Sequence, residues 1–438
     1  MTEPISGFSK LTKEEKIDWV TSNYTENKEQ SIKILQTYWN QNSKTQQLHD
    51  EFIENTLTNL YLPLGIAPNF LINNKLYAIP MAIEESSVIA AASKAAKFWL
   101  NRGGFRTEVL GTEKVGQVHF LFKGNFEKLS SFFSFLKPQL IIESASLTAS
   151  MEKRGGGISD IVLKNKTAEL KNYFQLHATF QTKDAMGANF INSCLEQFAA
   201  TLKKEATAYD GFSEEEKNVE VIMSILSNYV PNCTVRAQVS CPVEELQLGA
   251  GLSPQHTAEK IIQAIKIAQI EPYRAVTHNK GVMNGIDAVV LATGNDFRAV
   301  EAGVHAYACR NGQYTSLTHA EIENGIFTFW IELPLALGTV GGLTNLHPLV
   351  KLNLEILQNP SAEDLMQIIA VAGLAQNFAA VSSLVTTGIQ KGHMKMHLLN
   401  ILNQLGASTH EKAKLVTYFK TNTVTHHEVE LQLNTLRK

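Results

Sequence analysis

Two short segments hold the residue types best suited to chemistry in this chain: His278-Asn279-Lys280-Gly281 and Ala292-Thr293-Gly294-Asn295-Asp296. Each sets a charged side chain beside glycine and asparagine, where backbone can approach a ligand closely and a side chain can reach it. A lysine so placed can hold a developing oxyanion, and an aspartate can hold the lysine. The apolar run between them reads as a strand, which would put Lys280 and Asp296 at opposite ends of one rigid element. Blander readings fit the same residues: a structural ion pair for Lys280 and Asp296, or a helix N-cap at Asn295 or Asp296 ahead of a helix from Arg298.

Positioning such groups takes a scaffold, and 438 residues exceed the size at which one core keeps growing, so two or more domains are expected. Hydrophobic content of 44%, charged content of 18% and a net charge of -3 describe a globular enzyme with no basic excess for nucleic acid. Cys194, Cys233, Cys241 and Cys309 show no paired spacing, so neither a zinc site nor a disulfide framework is expected, and no metal is assigned. The first thirty residues lack the apolar core of an export signal, and no run nears the roughly 20 apolar residues of a membrane span. A soluble cytoplasmic protein is the expectation.

Residues 10–60 read as polar helices, 76–80 as a short strand, and 88–100 as an alanine-rich helix opened by Glu84-Glu85-Ser86-Ser87 and stopped by Gly103-Gly104. From 105 to 173 short strands and turns alternate, a candidate second domain. Asp184-Ala185-Met186-Gly187-Ala188-Asn189 starts a helix with Phe190, Ile191, Cys194, Leu195, Phe198 and Leu202 on one side. Helices over 257–268, 298–310, 361–371 and 374–383 alternate with strands in an α/β pattern, and the end from Thr387 is a helical tail.

Seven motifs, in order, resemble hydroxymethylglutaryl-CoA reductase of the soluble bacterial type, class II, over nearly the whole chain. They are Pro80-Met81-Ala82-Ile83-Glu84-Glu85-Ser86-Ser87, Asp184-Ala185-Met186-Gly187, Tyr273-Arg274-Ala275-Val276-Thr277-His278-Asn279-Lys280-Gly281, Ala292-Thr293-Gly294-Asn295-Asp296, Gly338-Thr339-Val340-Gly341-Gly342, Gly373-Leu374-Ala375-Gln376-Asn377 and Gly392-His393-Met394. The resemblance implies an α+β and α/β multidomain fold: a large mixed domain with a central helix over 1–109 and 218–386, an inserted non-Rossmann nucleotide-binding domain over 110–217, and a C-terminal helical flap over 387–438. It also implies a homodimer with the active site at the subunit boundary.

The activity so implied is a four-electron reduction of hydroxymethylglutaryl-CoA to mevalonate and CoA by two hydride transfers from NAD(P)H, or its reverse. Lys280 matches the family's oxyanion-holding lysine and Asp296 its carboxylate partner, so the two should be hydrogen-bonded. Glu85 matches the acid of the aldehyde step, although a carboxylate at a helix start favours its charged form. His393, on the tail, matches the acid that protonates the departing thiol. Ser87, Arg274, Asn284 and Asn377 are assigned to the hydroxymethylglutaryl end, Arg274 with the clearest reason, since a guanidinium binds a carboxylate bidentately. Asp184, Met186, Gly187 and Asn189 are assigned to the nucleotide, because amides at a helix start suit an anionic group and no GxGxxG follows a strand. Taken singly, Asp184 also reads as a cap, Glu84 and Glu85 as an acidic first turn, and His393 as a solvated surface histidine.

The chain departs from the family in three places. Pro4 stands before Ile5-Ser6-Gly7-Phe8 where an arginine is usual, and Thr58 replaces the glycine of the Glu54-Asn55 motif. Before Gly155-Gly156-Gly157, Ser146-Leu147-Thr148-Ala149-Ser150 lacks the acidic residue of NADH-strict members, and Lys153 and Arg154 follow, with Glu152 beside them. That leans toward NADPH over NADH. A CoA-dependent acyltransferase or lyase using the same CoA pocket is the alternative; it would need a cysteine paired with histidine in a glycine-rich turn, which none of the four cysteines provides. A catalytically silent scaffold is the third reading.

Overall fold

The computed structural model describes residues 4–249, 251–386, 388, 398–419 and 422–437. The chain divides into two compact units, Met1–Pro63 and Leu64–Lys438. The first holds helices α1 (Lys13–Tyr24), α2 (Lys28–Thr37) and α3 (Ser43–Asp50). Local chemistry starts each one: Thr12 and Glu15 form a reciprocal capping box on α1, and the side chains of Asn27 and Asn42 cap α2 and α3. Lys13 joins this unit's ends, its ammonium 2.7 Å from Asp50 and 4.3 Å from the centre of the Trp39 ring.

The second unit runs β1 (Leu64–Ile72), β2 (Lys75–Ala82), α4 (Val88–Leu100), β3 (Arg106–Val109), β4 (Lys114–Leu121), α5 (Phe126–Glu143), α6 (Ala145–Glu152), β5 (Gly157–Asn165), β6 (Tyr173–Gln181), α7 (Ala188–Ala208), α8 (Glu214–Lys217), β7 (Glu220–Ser227), β8 (Thr234–Pro242), α9 (Pro254–Ile270), α10 (Pro272–Ala292), α11 (Phe297–Ala308), β9 (Thr318–Glu323), β10 (Ile326–Pro334), α12 (Leu343–Leu346), α13 (Pro348–Ile356) and α14 (Ala362–Val385). The same unit also holds α15 over 398–404, α16 (Thr409–Tyr418) and α17 (His426–Arg437). The strands form a β1-β2 hairpin, a sheet ordered β3-β8-β10-β9 and a sheet ordered β5-β6-β4-β7. The fold is mixed α and β as expected, but every named strand pairing is antiparallel, so the helix–strand alternation does not build a parallel sheet.

Three hydrophobic clusters hold this unit together. The largest packs the β3-β8-β10-β9 sheet and the hairpin around α4, α10 and α14. A second, with Phe120, Phe132, Phe174 and Phe198 at its centre, joins the other sheet to α5 and α7. A small third one, Leu398, Leu402, Leu415 and Val429 among it, gathers the tail helices.

Three local expectations give way to tertiary packing. Residues 126–143 and 145–152 are helices where only strands and turns were expected, the first opened by the Asn125 side chain accepting from the Lys128 amide. The run up to Ala292 belongs to helix α10, not to a strand. Its Val282, Met283, Ile286, Val289 and Val290 repeat at helical spacing into the core, and Gly285 lies so close to α14 that a Cβ there would meet the Ala372 carbonyl oxygen at 2.4 Å. The expected helices over 361–371 and 374–383 are one, α14, long and apolar enough by itself to cross a bilayer. Its 362–378 stretch is buried almost throughout, as the central helix of a core is.

Candidate active site

Helices α4, α10 and α14 enclose a cleft of about 480 Å³ lined by Glu85, Ser87, Arg274, Lys280, Asn284 and Asn377, among others. These are the two carboxylate and ammonium residues and all four substrate residues expected on the hydroxymethylglutaryl side. On α10, Arg274, Thr277, Gly281 and Asn284 recur at intervals of three and four, which turns one helical face to the cleft. Glu85 comes from the turn between β2 and α4. That turn closes on Ser87, the residue before α4, held at φ 77°, a left-handed conformation that costs a non-glycine residue about 1–3 kcal/mol.

Lys280 and Glu85 are ion-paired, Nζ to Oε2 at 2.5 Å, and the Asn284 amide lies 3.4 Å from the same oxygen. The pair is open to water in one chain, with 60% of the lysine side chain and 39% of the glutamate exposed. The partner expected for Lys280 was Asp296, and the structure differs. Asp296 is the N-cap of α11, accepting from the Arg298 and Ala299 amides at 3.1 and 3.2 Å, and it is paired with the Arg298 guanidinium at 3.4 Å. Lys280 lies twelve positions before Ala292 at the end of α10, which is about 18 Å of axis and beyond the reach of a lysine side chain.

Beneath the cleft a closed ring of hydrogen bonds sets the orientation of Arg274. The Asn377 amide donates to the His278 carbonyl at 3.1 Å, the Thr318 hydroxyl donates to Asn377 Oδ1 at 3.0 Å, and His278 Nε2 lies 2.6 Å from that hydroxyl. Since Thr318 spends its proton on Asn377, His278 must donate from Nε2, which leaves the Nδ1 lone pair toward Arg274 Nη2 at 3.5 Å. Burial pushes His278 down to about 3, so the ring is neutral throughout the physiological range. Asn377, expected on the substrate, is 1% exposed and its oxygen and one amide proton serve this ring. His278 was named with its segment but given no role, because a histidine two residues before a lysine shows no partner until its burial is known.

The residues expected on the nucleotide line a different cavity, about 410 Å³, where Met186, Gly187 and Asn189 face Gly294, Asp296 and Gly341. Three loops are knit together there: Thr339 N donates to the Asp184 carbonyl at 2.8 Å, Gly338 N donates to Asn295 Oδ1 at 2.8 Å, and Ala185 bridges to Val340. Gly187 precedes α7 at φ 93°, and a Cβ on it would meet Thr182 Cγ2 at 2.4 Å, so only glycine serves at this helix start. An open helix start in a glycine-walled cradle fits a phosphate-bearing cofactor. Asp184 differs from its neighbours: its carboxylate accepts from the Ala362 amide at 2.8 Å, capping α14 and not α7. His393 lies outside the described residues. Among those described, no group of three or more His, Cys, Asp or Glu side chains could hold a metal.

Comparison with known proteins places the chain in a family. Residues 12–398 match the family described as hydroxymethylglutaryl-coenzyme A reductase. The chain is 37% identical to the 3-hydroxy-3-methylglutaryl-coenzyme A reductase of Archaeoglobus fulgidus over 95% of its own length and 90% of the relative's. It is 36% identical to a probable reductase of that name from Borreliella burgdorferi, covering 83% and 81% of the two chains. A solved structure of the Streptococcus pneumoniae enzyme superposes with a TM-score of 0.73 at 34% identity, covering 99% of this chain and all of that one. A second, described as the class II enzyme bound to NADPH in open conformations, superposes at 0.72 over 87% of this chain and all of that one. By sequence over nearly its full length and by fold, this chain belongs to the hydroxymethylglutaryl-coenzyme A reductase family.

Proposed function

We propose that this protein reduces hydroxymethylglutaryl-CoA to mevalonate and CoA at a site completed by two copies of the chain, in the cytoplasm. The observation that carries the reading is the Lys280–Glu85 pair at the mouth of a cleft whose deeper wall carries Arg274. Arg274 takes the free carboxylate of the substrate, held in aim by the neutral His278. That places the thioester end near Lys280, whose ammonium holds the carbonyl oxygen as negative charge grows on it. Glu85, 2.5 Å from that ammonium, is assigned the acid of the second reduction: the pair shares one transferable proton, which passes to the oxygen of the aldehyde as hydride arrives and is then replaced from water. His393 is assigned the proton for the leaving thiol.

The nicotinamide nucleotide supplies hydride, and the cavity of Met186, Gly187 and Asn189, in the part of the chain over 110–217, is the proposed place for it. Asp296 belongs to that cavity and not to the cleft of Lys280. Two copies related by a twofold axis would bring the Asp296 side of one chain to the Lys280 side of the other and withdraw the exposed ion pair from water, where it acts more strongly. NADPH is the proposed reductant, supported by the basic Lys153-Arg154 beside the cavity and by the NADPH-bound relative.

Loss of nicotinamide absorbance on adding hydroxymethylglutaryl-CoA, followed with NADPH and NADH in parallel, tests the reaction; no oxidation with either rejects it. Mixing Lys280→Ala chains with Asp296→Ala chains tests the shared site. Each homodimer should be inactive and the mixture partly active, whereas an inactive mixture rejects the shared arrangement.

A further inference from the structure

A third cavity, about 440 Å³, lies on the other side of the Asp184-Ala185 segment from the proposed nucleotide site, and no role described so far uses it. Lys114 is at its floor, 6% exposed, with Arg154 and Lys183 at its exposed mouth. Lys114 opens β4, where Gly116, Val118 and Phe120 also point inward with the period of two, so its ammonium is carried into the interior by the strand itself. A buried cation of this kind is costly without a counter-charge. Among the described residues no carboxylate lies within 4 Å of the Lys114, Arg154 or Lys183 nitrogens as an ion pair. The Cys233 thiol in the same cavity is pushed up to about 11 by burial and stays neutral. Asp184 and Glu363 also border the space, but Asp184 is engaged by the Ala362 amide.

The ammonium is not needed to satisfy its neighbours either. Lys114 Nζ donates to Thr182 Oγ1 at 2.5 Å and to the Ala185 carbonyl at 2.9 Å, yet Thr182 Oγ1 donates to that same carbonyl at 2.7 Å. Remove the lysine, and both groups keep a partner. Two donor positions are thus spent on oxygens that already bond each other, and a third is left for the cavity.

We propose that this cavity binds a phosphoryl group, with Lys114 as the buried anchor and Arg154 and Lys183 as the outer donors. Lys114, Arg154 and Lys183 outnumber Asp184 and Glu363 around the space, a net positive lining that suits an anion, and Arg154 also lines the cavity of Gly187, so occupancy bears on the nucleotide site through a shared wall. The group has two possible sources with the same chemistry: the 2′-phosphate of NADPH reaching across from the neighbouring cavity, or a separate small phosphorylated molecule. The first source rests on the nucleotide reading above; the second does not.

The test uses thermal unfolding of the full chain with inorganic phosphate, against chloride at matched ionic strength, and titration with NADPH and NADH. Phosphate should raise the melting temperature of the wild type by a few degrees and leave Lys114→Met unmoved, while Lys114→Met without phosphate should melt at or above the wild type. If the source is the cofactor, Lys114→Met weakens NADPH by about tenfold or more and spares NADH, and phosphate competes with NADPH alone. If the source is separate, both nucleotides bind Lys114→Met unchanged and the phosphate shift adds to that of NADPH. Should Lys114→Met fail to fold, Lys183→Met at the exposed mouth carries the same readings in reduced size. A wild type that ignores phosphate, with unchanged NADPH-to-NADH preference in the variants, overturns the proposal, as does a Lys114→Met that melts well below the wild type with its phosphate shift intact.

Discussion

The ammonium of Lys280 stands 2.5 Å from the carboxylate of Glu85, a contact between residues 195 positions apart that brings the turn before α4 to the middle of α10. It joins the two groups whose chemistry the proposed reaction needs most, and it does so at the surface of a single chain. Exposed ion pairs contribute little to folding, about 0–1 kcal/mol. The geometry of this pair therefore speaks for chemistry more than for stability.

Lys280→Ala should accordingly lower turnover of hydroxymethylglutaryl-CoA by at least about 10²–10³-fold while leaving the melting temperature nearly unchanged. Steady-state kinetics beside thermal unfolding separates the two effects. A variant that unfolds early would give the lysine a structural role.

His278 is expected to act on binding and on acid stability, not on the pH profile of catalysis near neutrality. Its folded form is held at about 3 against an ordinary 6.5, so between those values the unfolded chain takes up a proton that the folded chain refuses. Stability should fall as pH drops from 6.5 toward 3, and denaturant titrations of His278→Asn should show a shallower fall. In the same variant Arg274 loses its aim, and KM for hydroxymethylglutaryl-CoA should rise more than kcat falls.

Asp287 on α10 faces Glu301 on α11, and burial together with that neighbouring carboxyl pushes it up to about 8. The folded state keeps a proton that the unfolded chain releases near 4, so the stabilisation is full at low pH and is lost as pH rises through 8. Asp287→Asn should flatten the decline between pH 4 and 8 and leave the protein more stable than the wild type at pH 8, measured by urea unfolding.

Gly285→Ala and Gly373→Ala test the crossing of α10 and α14. A Cβ on Gly285 would meet backbone, the Ala372 oxygen at 2.4 Å, whereas one on Gly373 would meet the Ile286 side chain at 2.8 Å, which can turn aside. The first substitution should cost about 1–3 kcal/mol or more and reduce turnover by displacing Lys280; the second should cost less. Equal effects on unfolding would mean the helices adjust freely.

Much of the site was legible in the residues themselves. Glu85, Ser87, Arg274, Lys280 and Asn284 were picked out by motif and come together in one cleft, because each sits in a short segment whose glycines and helix start are local properties. Secondary structure was legible where composition and helical spacing agree, as in the alanine-rich α4 and the one-sided apolar α7, and misread at 280–292, where β-branched residues favour a strand locally. The apolar residues of that run, at helical spacing, and the Glu271 cap with Pro272 also mark a helix, and the approach of α14 against Gly285, which is not a local property, fixes that helix in the core.

The chain by itself determined which residue types were available and in what order, and hence the family, since motifs depend on covalent sequence alone. Tertiary structure decided the pairings. It gave Lys280 to Glu85 and Asp296 to α11, turned Asn377 and His278 into the support of Arg274, and buried Lys114 without a carboxylate. Partners are chosen by distance and burial, and both are set by how distant segments pack, which no stretch of sequence contains within itself.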